Sequence, residues 1–392
     1  MANPTNESER AILGWLADQR GAMLTLLETL VNTDGGSYDK AGVDQVGARL
    51  RGFLEGEGIA CETVPNERFG DALRATVANG ATTGANSTIL LMGHRDTVFP
   101  KGEPSRRPFK IENGRAYGPG VSDMKAGLVM NAFVLAAFQR AGGSPAPLVG
   151  LFTSDEEIGS PECRPLIESE ARRARAVFNS EPGRPGNGVV TGRKGGVFMR
   201  MEITGKAAHS GANFKDGISA IDELARKITT LHALTDLDKG TTVNVGLVSG
   251  GQTVNTVAPW AKAEIDLRFI TPADRNAAMA EIERVVQTSF VPGTTAQLEI
   301  AGEFLPLVQT PHSNALYEHY AACARSLDTP VEAQFTGGCA DSGFAAEVGA
   351  AVICAVGPVG GKGHSPEEYL EVDTMVPRAQ TLALSIMRLG QA

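Results

Sequence analysis

The stretch STILLMGHRDTV, residues 87–98, is a short apolar run that leads directly into a histidine and an aspartate. Its length and composition are typical of a buried strand. Residues two apart in extended backbone point to the same side, so His94 and Asp96 are expected to face one site. His94 is therefore a candidate metal ligand, and Asp96 is a candidate catalytic-site carboxylate that orients the imidazole.

The segments that follow predict an α/β fold with a mostly parallel sheet flanked by helices. A helical pattern at 124–143 is followed by a second apolar run, APLVGLFTS, at 146–154. Alternating strands and helices favour a parallel sheet covered on both faces. After about residue 187 the pattern changes to strands at 188–205, 241–249, 252–258, 261–269 and 295–301, with helices at 217–234 and 272–289. We predict a catalytic domain of residues 1–190 and 309–392 and an inserted α+β lid or dimerisation domain of residues 191–308.

The composition of the chain limits its possible binding partners, its cellular location and the residue types that could bind metal. The chain has 392 residues and a net charge of -9, and it has no basic stripe with interleaved aromatic residues, so nucleic acid is not an expected partner. It also lacks an uninterrupted run of eighteen apolar residues, so no membrane partner is expected. Without a basic leader, a cytoplasmic location is expected, or a periplasmic one if a leader was removed. The five cysteines show no CxxC spacing, so histidines and carboxylates are the expected metal ligands.

Acidic residues and one further histidine stand at the ends of other predicted elements. Asp123 lies in the turn before the helix, Glu156 and Glu157 follow the second strand, Glu181 follows the strand RAVFNS, and His364 follows a glycine-rich loop. Two alternatives remain for these residues: Asp123 caps the helix, and the acidic run is a solvated loop. Ligands in open α/β sheets collect at the carboxyl ends of strands, which favours a shared metal site. Imidazoles and carboxylates suit zinc, with cobalt or manganese as substitutes.

With these residues in order, the chain resembles the di-zinc exopeptidase family of glutamate carboxypeptidase, aminoacylase, acetylornithine deacetylase and succinyl-diaminopimelate desuccinylase. Bacterial glutamate carboxypeptidase is the most similar of these. The motifs that carry the resemblance are GHRDTV (93–98), YGPGVSDMKAG (117–127), TSDEEIGS (153–160), SEP (180–182), TGKAAHSG (204–211) and GKGHSPEE (361–368).

The resemblance implies a role for each candidate in a site with two Zn²⁺ per subunit. Asp123 would bridge the ions, His94 and Glu181 would complete one site, and Glu157 and His364 the other. Glu156 would then be free to act as the general base. His209 would reach the active site of the partner subunit, in a homodimer formed through the inserted domain, and stabilise the oxyanion.

The resemblance also suggests substrate-binding residues, and two departures bear on specificity. Asn255 and Arg268 match positions that hold the substrate, and Cys339 stands in the loop that lines the pocket. Relatives specific for glutamate carry an arginine where this chain has Leu305, and often a glycine where it has Cys339. Both changes argue against glutamate specificity.

The predicted function is zinc-dependent hydrolysis of an amide bond in a small N-acyl amino acid or dipeptide, as in carboxypeptidases. One alternative is a deacylase or desuccinylase for N-acyl amino acids. An alternative of another class is an inactive relative that binds a ligand, since a metal site without a base turns over poorly.

Overall fold

The computed structural model of the protein describes residues 6–77 and 87–389. The chain divides into two compact units. The first comprises the described residues of Met1–Gly192, Gln309–Phe335 and Phe344–Ala392, and the second comprises Arg193–Val308 and Thr336–Gly343. The predicted insertion was residues 191–308, whereas the second unit begins at Arg193 and also includes residues 336–343. Gly343 packs on the backbone of Leu305, whose carbonyl oxygen would lie 1.9 Å from a Cβ at that position.

The helices within the described residues are α1 Glu7–Ala17, α2 Arg20–Val31, α3 Lys40–Gly56, α4 Glu103–Arg106, α5 Ala126–Arg140, α6 Arg164–Ala171, α7 Ala220–His232, α8 Pro272–Gln287, α9 Pro311–Ser326, α10 Ser342–Glu347 and α11 Met375–Leu389.

The strands within the described residues are β1 Ala60–Val64, β2 Ala72–Val77, β3 Thr88–His94, β4 Lys110–Glu112, β5 Arg115–Tyr117, β6 Leu148–Thr153, β7 Ala174–Asn179, β8 Val189–Arg193, β9 Gly195–Thr204, β10 Thr242–Gly250, β11 Trp260–Phe269, β12 Thr295–Phe304, β13 Ala333–Thr336, β14 Val352–Cys354, β15 Gly360–Gly361 and β16 Tyr369–Glu371.

The first unit is built on a large sheet with the strand order β1-β2-β6-β3-β7-β14-β8-β13. Its central strands β6, β3, β7 and β14 are parallel to their neighbours in that group, which confirms the predicted α/β fold with a mostly parallel sheet. Every residue of β6 is buried, as expected for a strand covered on both faces.

Helix α5 supplies much of the core beneath this sheet. Its residues from Ala126 to Phe138 are all buried, so its apolar surface packs inside the unit. The stretch Val121–Arg140 is long and apolar enough to cross a membrane, but 94% of its most apolar window is buried in the protein. Such burial is typical of the core helix of a globular unit.

A small sheet that the sequence did not predict brings two distant segments of the first unit together. Its strand order is β15-β16-β5-β4, and Tyr369 in β16 pairs with Tyr117 in β5. The chain that follows β5 leads to Asp123, and the loop between β15 and β16 carries His364. The pairing therefore sets the positions of two candidate site residues.

The second unit is an antiparallel sheet of order β10-β11-β9-β12 with the helices α7 and α8. Alternate residues of β11 are buried, as expected for a strand with one face on a core. Two details of the predicted strands are wrong. The predicted strand pair at 188–205 does not form a hairpin, because β8 joins the large sheet and β9 joins the four-stranded sheet. Residues 252–258 form a turn and not a strand. Within it the Thr253 hydroxyl donates to the side-chain oxygen of Asn255 at 2.9 Å.

Candidate active site

The candidate residues meet at one edge of the large sheet because the strands that carry them are neighbours. His94 ends β3, Glu156 and Glu157 follow β6, and Glu181 follows β7. Since β3 lies between β6 and β7 and is parallel to both, the carboxyl ends of these strands coincide.

The two ring nitrogens of His94 face different residues: one faces Asp96, and the other faces the carboxylates of Asp123, Glu156 and Glu181. Its Nδ1 lies 3.0 Å from the Asp96 backbone oxygen and 3.4 Å from Asp96 Oδ1, so this nitrogen is placed to donate. Its Nε2 then faces Asp123 Oδ1 at 3.3 Å. Burial lowers the pKa of His94, but the neighbouring carboxylates of Glu156 and Asp123 outweigh it and raise the pKa well above its usual value.

Asp96 is fully buried and links this imidazole to the acidic run. Its carboxylate accepts hydrogen bonds from the Ser37 hydroxyl at 2.7 Å and from the backbone N–H groups of Glu156 and Glu157, each at 3.1 Å. A carboxylate held by several donors can fix the orientation of a ligand. Asp96 therefore positions His94 and the chain that follows β6 at the same time.

Asp123 lies between two histidines. Its Oδ1 is 3.3 Å from His94 Nε2, and its Oδ2 is 3.4 Å from His364 Nε2. Helix α5 begins only at Ala126, and its N-cap residue, Lys125, makes no side-chain capping hydrogen bond. The alternative that Asp123 caps the helix is therefore wrong, and the Asp123 carboxylate is directed into the site.

Glu157 and His364 form the outer part of the cluster. Glu157 Oε2 lies 3.0 Å from His364 Nε2. Hydrogen bonds to Asp123 and Glu157 raise the pKa of His364 to about 10, whereas burial raises the pKa of Glu157 to about 7. Glu157 Oε1 is buried and accepts no hydrogen bond from the described residues, which fits an oxygen kept for a cation.

Glu156 and Glu181 lie near the same ring nitrogen of His94 as Asp123. Their Oε2 and Oε1 atoms lie 3.7 Å and 3.6 Å from His94 Nε2, respectively. Both carboxylates are buried, and so is Asp155, which excludes the alternative that the acidic run is a solvated loop. Two groups of possible ligand atoms, each within 4.8 Å of one another, share His94: His94, Asp123 and Glu157 in one group, and His94, Glu156 and Glu181 in the other. The distances alone therefore allow Glu156 to be either a metal ligand or a base beside the metal ions.

Sequence reasoning missed Glu368, although this residue ends the quoted motif GKGHSPEE. Glu368 is fully buried and accepts three backbone N–H groups, from Gly120 at 3.0 Å, Ser122 at 2.8 Å and Asp123 at 2.9 Å. Burial raises its pKa to about 7, and the three donors oppose that rise. The only signal in the sequence is a second acid beside Glu367, which by itself indicates nothing. Glu368 therefore acts as a positioning residue for the backbone of Asp123.

Lys125 fixes the same loop from its other end. Its ammonium group is buried and donates to the backbone oxygens of Thr33 at 3.1 Å and Pro119 at 3.3 Å. Burial lowers the pKa of Lys125 to about 8, while the nearby Glu368 carboxylate acts to raise it. The loop that carries Asp123 is thus held by one buried acid and one buried base.

The structure places His209 and Asn255 together in the second unit. The Ser210 N–H donates to the Asn255 backbone oxygen at 2.9 Å, and both predicted residues are exposed. His209 Nδ1 accepts from the N–H groups of Gly211 at 3.1 Å and Ala212 at 3.2 Å. Because Nδ1 accepts, the proton of the neutral ring lies on Nε2, which is then an exposed donor.

Arg268 and Cys339 also contact each other within the second unit. Arg268 Nη1 donates to Cys339 Sγ at 2.8 Å, and its Nε donates to Asp266 at 3.0 Å. Its guanidinium also lies 5.1 Å from the centre of the Phe198 ring. Cys339 thus occupies one side of the guanidinium that was predicted to bind substrate.

A mostly parallel sheet with imidazoles and buried carboxylates gathered at its strand ends is the arrangement of an α/β protein with a metal site that could serve hydrolysis. The model of Peptidase family M20/M25/M40 matches residues 90–388. The chain belongs to this family, which is metal-dependent, and the protein is therefore a metallo-exopeptidase or amidohydrolase, as predicted.

Two relatives of known name are similar in sequence to most of the chain. It is 29% identical over 378 residues to carboxypeptidase G2 of Pseudomonas sp. (strain RS-16), covering 95% of this chain and 90% of the relative. It is 26% identical over 358 residues to acetylornithine deacetylase of Pasteurella multocida (strain Pm70), covering 85% and 88%. Among solved structures, the M20 family metallo-carboxypeptidase Sso-CP2 from Sulfolobus solfataricus matches with a TM-score of 0.76 at 18% identity, over 94% of this chain and 99% of that one. The last similarity supports the fold.

Proposed function

We propose that the protein is a di-zinc amidohydrolase that cleaves the amide bond of small N-acyl amino acids or dipeptides. The observation that carries this proposal is the placement of Asp123, whose two carboxylate oxygens face different histidines at 3.3 Å and 3.4 Å. A carboxylate in this position suits a bridge between two cations. Relatives named as a carboxypeptidase and as acetylornithine deacetylases support a small amide as the substrate.

The donor set fits two ions of the zinc type. His94, Asp123 and Glu181 would hold one ion, and Asp123, Glu157 and His364 the other, with nitrogen and carboxylate ligands and no thiolate. When bound, the ions would polarise the amide carbonyl as Lewis acids and lower the pKa of a bound water to about 7, so that it can lose a proton at neutral pH.

The residues of the chain supply the proton transfers and the orientation. Glu156 accepts the proton of the attacking water and passes it to the leaving amine nitrogen. Asp96 keeps the His94 imidazole turned toward the site through Nδ1. His209 donates from Nε2 to the oxyanion that forms on the carbonyl oxygen when water attacks the carbonyl carbon.

An activity assay of the zinc-saturated protein with a panel of amides tests this function. We expect hydrolysis of dipeptides or N-acyl amino acids, loss of turnover after removal of metal with a chelator, and recovery when Zn²⁺ is returned. Hydrolysis of dipeptides with release of the C-terminal amino acid would favour the carboxypeptidase reaction, and hydrolysis of N-acetyl or N-succinyl amino acids but not dipeptides would favour the deacylase. A metal-saturated protein that cleaves no amide in the panel would refute the proposal.

We also propose that the active form is a homodimer joined through the second unit. Strand β10 is an edge strand of the four-stranded sheet, and its Leu247 and Val248 are 64% and 59% exposed. Exposed apolar side chains on a free edge favour pairing with another chain. A second copy of this chain is the proposed partner, because His209 is proposed to act in the active site of another subunit.

A cytoplasmic location stays a prediction.

Hybrid dimers test whether His209 acts across the subunits. The His209→Ala and Glu156→Ala variants are each expected to be nearly inactive, with a loss of about 10²–10³-fold for the histidine. After subunit exchange, each hybrid dimer holds one intact site, so the mixture should recover about a quarter of the activity of the unmodified dimer. Proven exchange without recovery would show that His209 serves its own subunit or no site at all.

A further inference from the structure

A cavity of about 610 Å³ lies in the first unit directly beside the candidate site. It is lined by residues 36–39 and 97–101 together with Glu157 and Ile158. Its volume is within the range of roughly 300–1,000 Å³ that is usual for small-molecule sites. Glu157 belongs both to this cavity and to the metal-ligand cluster, so the two adjoin at this residue.

The lining of the cavity is mostly apolar. Tyr38 is 81% exposed and Val98 is 43% exposed, and Phe99, Pro100 and Ile158 complete the surface. Large apolar side chains left open to solvent around a concave surface mark a place where a ligand is bound. None of these residues was assigned a role by the motifs.

The two walls of the cavity are held together by the backbone. The Thr97 N–H donates to the Gly35 oxygen at 2.8 Å, and the Ser37 N–H donates to the Thr97 oxygen at 3.2 Å. At Gly36 a Cβ would lie 2.5 Å from the Phe99 backbone oxygen, so only glycine permits this approach. The cavity is therefore formed before a ligand arrives, which reduces the cost of ordering on binding.

The charges around the cavity decide what kind of group it can take. Lys101 is the only cation among the described residues that line it, and its Nζ lies 3.2 Å from Asp39 Oδ2. Glu157 belongs to the proposed metal site and is not counted among the charges of the wall. Away from that site, a carboxylate on the acyl group would lose hydration and meet only a lysine already paired with Asp39, which is costly. The cavity therefore suits an uncharged group.

We propose that this cavity binds the acyl part of the substrate, and that the enzyme acts on amides of bulky, uncharged, apolar acyl groups such as aromatic rings and alkyl chains. This inference rests on the proposed amide hydrolysis. The amino-acid part carries a carboxylate next to the scissile nitrogen, so the acyl part is the one that matches the lining. An acetyl group leaves most of the volume unfilled, and a succinyl group brings a second carboxylate.

Kinetics with N-benzoyl, N-acetyl and N-succinyl derivatives of leucine and of glutamate test the preference. We expect kcat/KM for the benzoyl derivative to exceed that for the other two by about tenfold or more. Val98→Ser should lower the ratio of benzoyl to acetyl kcat/KM about fivefold, because it removes apolar contact from the wall. Ile111→Ser is the matched control, since Ile111 is 47% exposed but lies in β4, away from the cavity lining, and its ratio should be unchanged. Equal or better use of the acetyl or succinyl derivative would overturn the inference.

Binding measured without turnover separates this inference from the proposed function. Calorimetric titration of the Glu156→Ala protein with N-benzoyl and N-acetyl leucine should show tighter binding of the benzoyl compound, and Val98→Ser in the same background should remove most of the difference. If this preference is found but the unmodified protein cleaves no amide, the cavity assignment stands and the proposed function fails. If both compounds bind equally, the cavity assignment fails whatever the activity.

Discussion

The Glu156→Ala variant is expected to lose about 10²–10⁴-fold in kcat while keeping the zinc content of the unmodified protein. The reason is that a positioned carboxylate which moves a proton in the transition state contributes a factor of that size. The measurement is steady-state kinetics on the best amide of the panel, together with metal analysis of the dialysed protein.

The zinc content is the discriminating readout, because Glu156 stands within 4.8 Å of ligand atoms of His94 and Glu181. A variant that is inactive and has lost one ion would assign Glu156 as a ligand instead of the base. Unchanged turnover would refute both roles. Glu112→Gln is the control, since Glu112 is an exposed residue of β4 that pairs with Lys110 at 3.1 Å, and its activity should be unaffected.

The Glu368→Ala variant is expected to weaken metal binding about 10–100-fold although Glu368 is not proposed as a ligand. The carboxylate holds the N–H groups of Gly120, Ser122 and Asp123 at 2.8–3.0 Å, so its removal leaves three buried donors without an acceptor and frees the backbone that directs Asp123. Competition with a chelator of known affinity measures the change.

Two further variants make this result interpretable. Glu368→Gln keeps the shape and one acceptor oxygen, so it should lose less metal affinity than the alanine variant. Glu367→Ala removes the neighbouring acid, which is exposed and pairs with Lys362, and it should bind metal normally. Loss of thermal stability in Glu368→Ala without loss of metal affinity would show that the residue supports only the fold.

The catalytic candidates could be predicted because each one follows a local pattern. His94 stands at the end of a short apolar run, and Glu156 and Glu157 stand directly after another. Parallel strands in one sheet bring their carboxyl ends to the same edge, so the proximity of these residues followed from the fold class alone. The order of motifs suggested the family, which the match over residues 90–388 shows, and the roles of the individual residues stay predictions.

Other features could not be predicted, because they depend on contacts between residues far apart in the chain. The hydrogen bond from the Gly120 N–H to Glu368 spans 248 residues, and no periodicity records it. Residues 336–343 lie within the predicted catalytic domain but pack on the backbone of Leu305 in the second unit. At 252–258, where a strand was predicted, the Thr253 hydroxyl makes local hydrogen bonds with the side chains of Asn255 and Thr256.

By itself the sequence determined the α/β class, the family and the set of residues able to bind metal and move a proton, because apolar periodicity and residue chemistry are local properties. The tertiary structure decided which oxygen of Asp123 faces which histidine, which buried acid holds its backbone, and which surface beside Glu157 is left open and apolar. These outcomes depend on how segments more than a hundred residues apart meet, and packing and hydrogen-bond satisfaction select that arrangement only once the whole chain is folded.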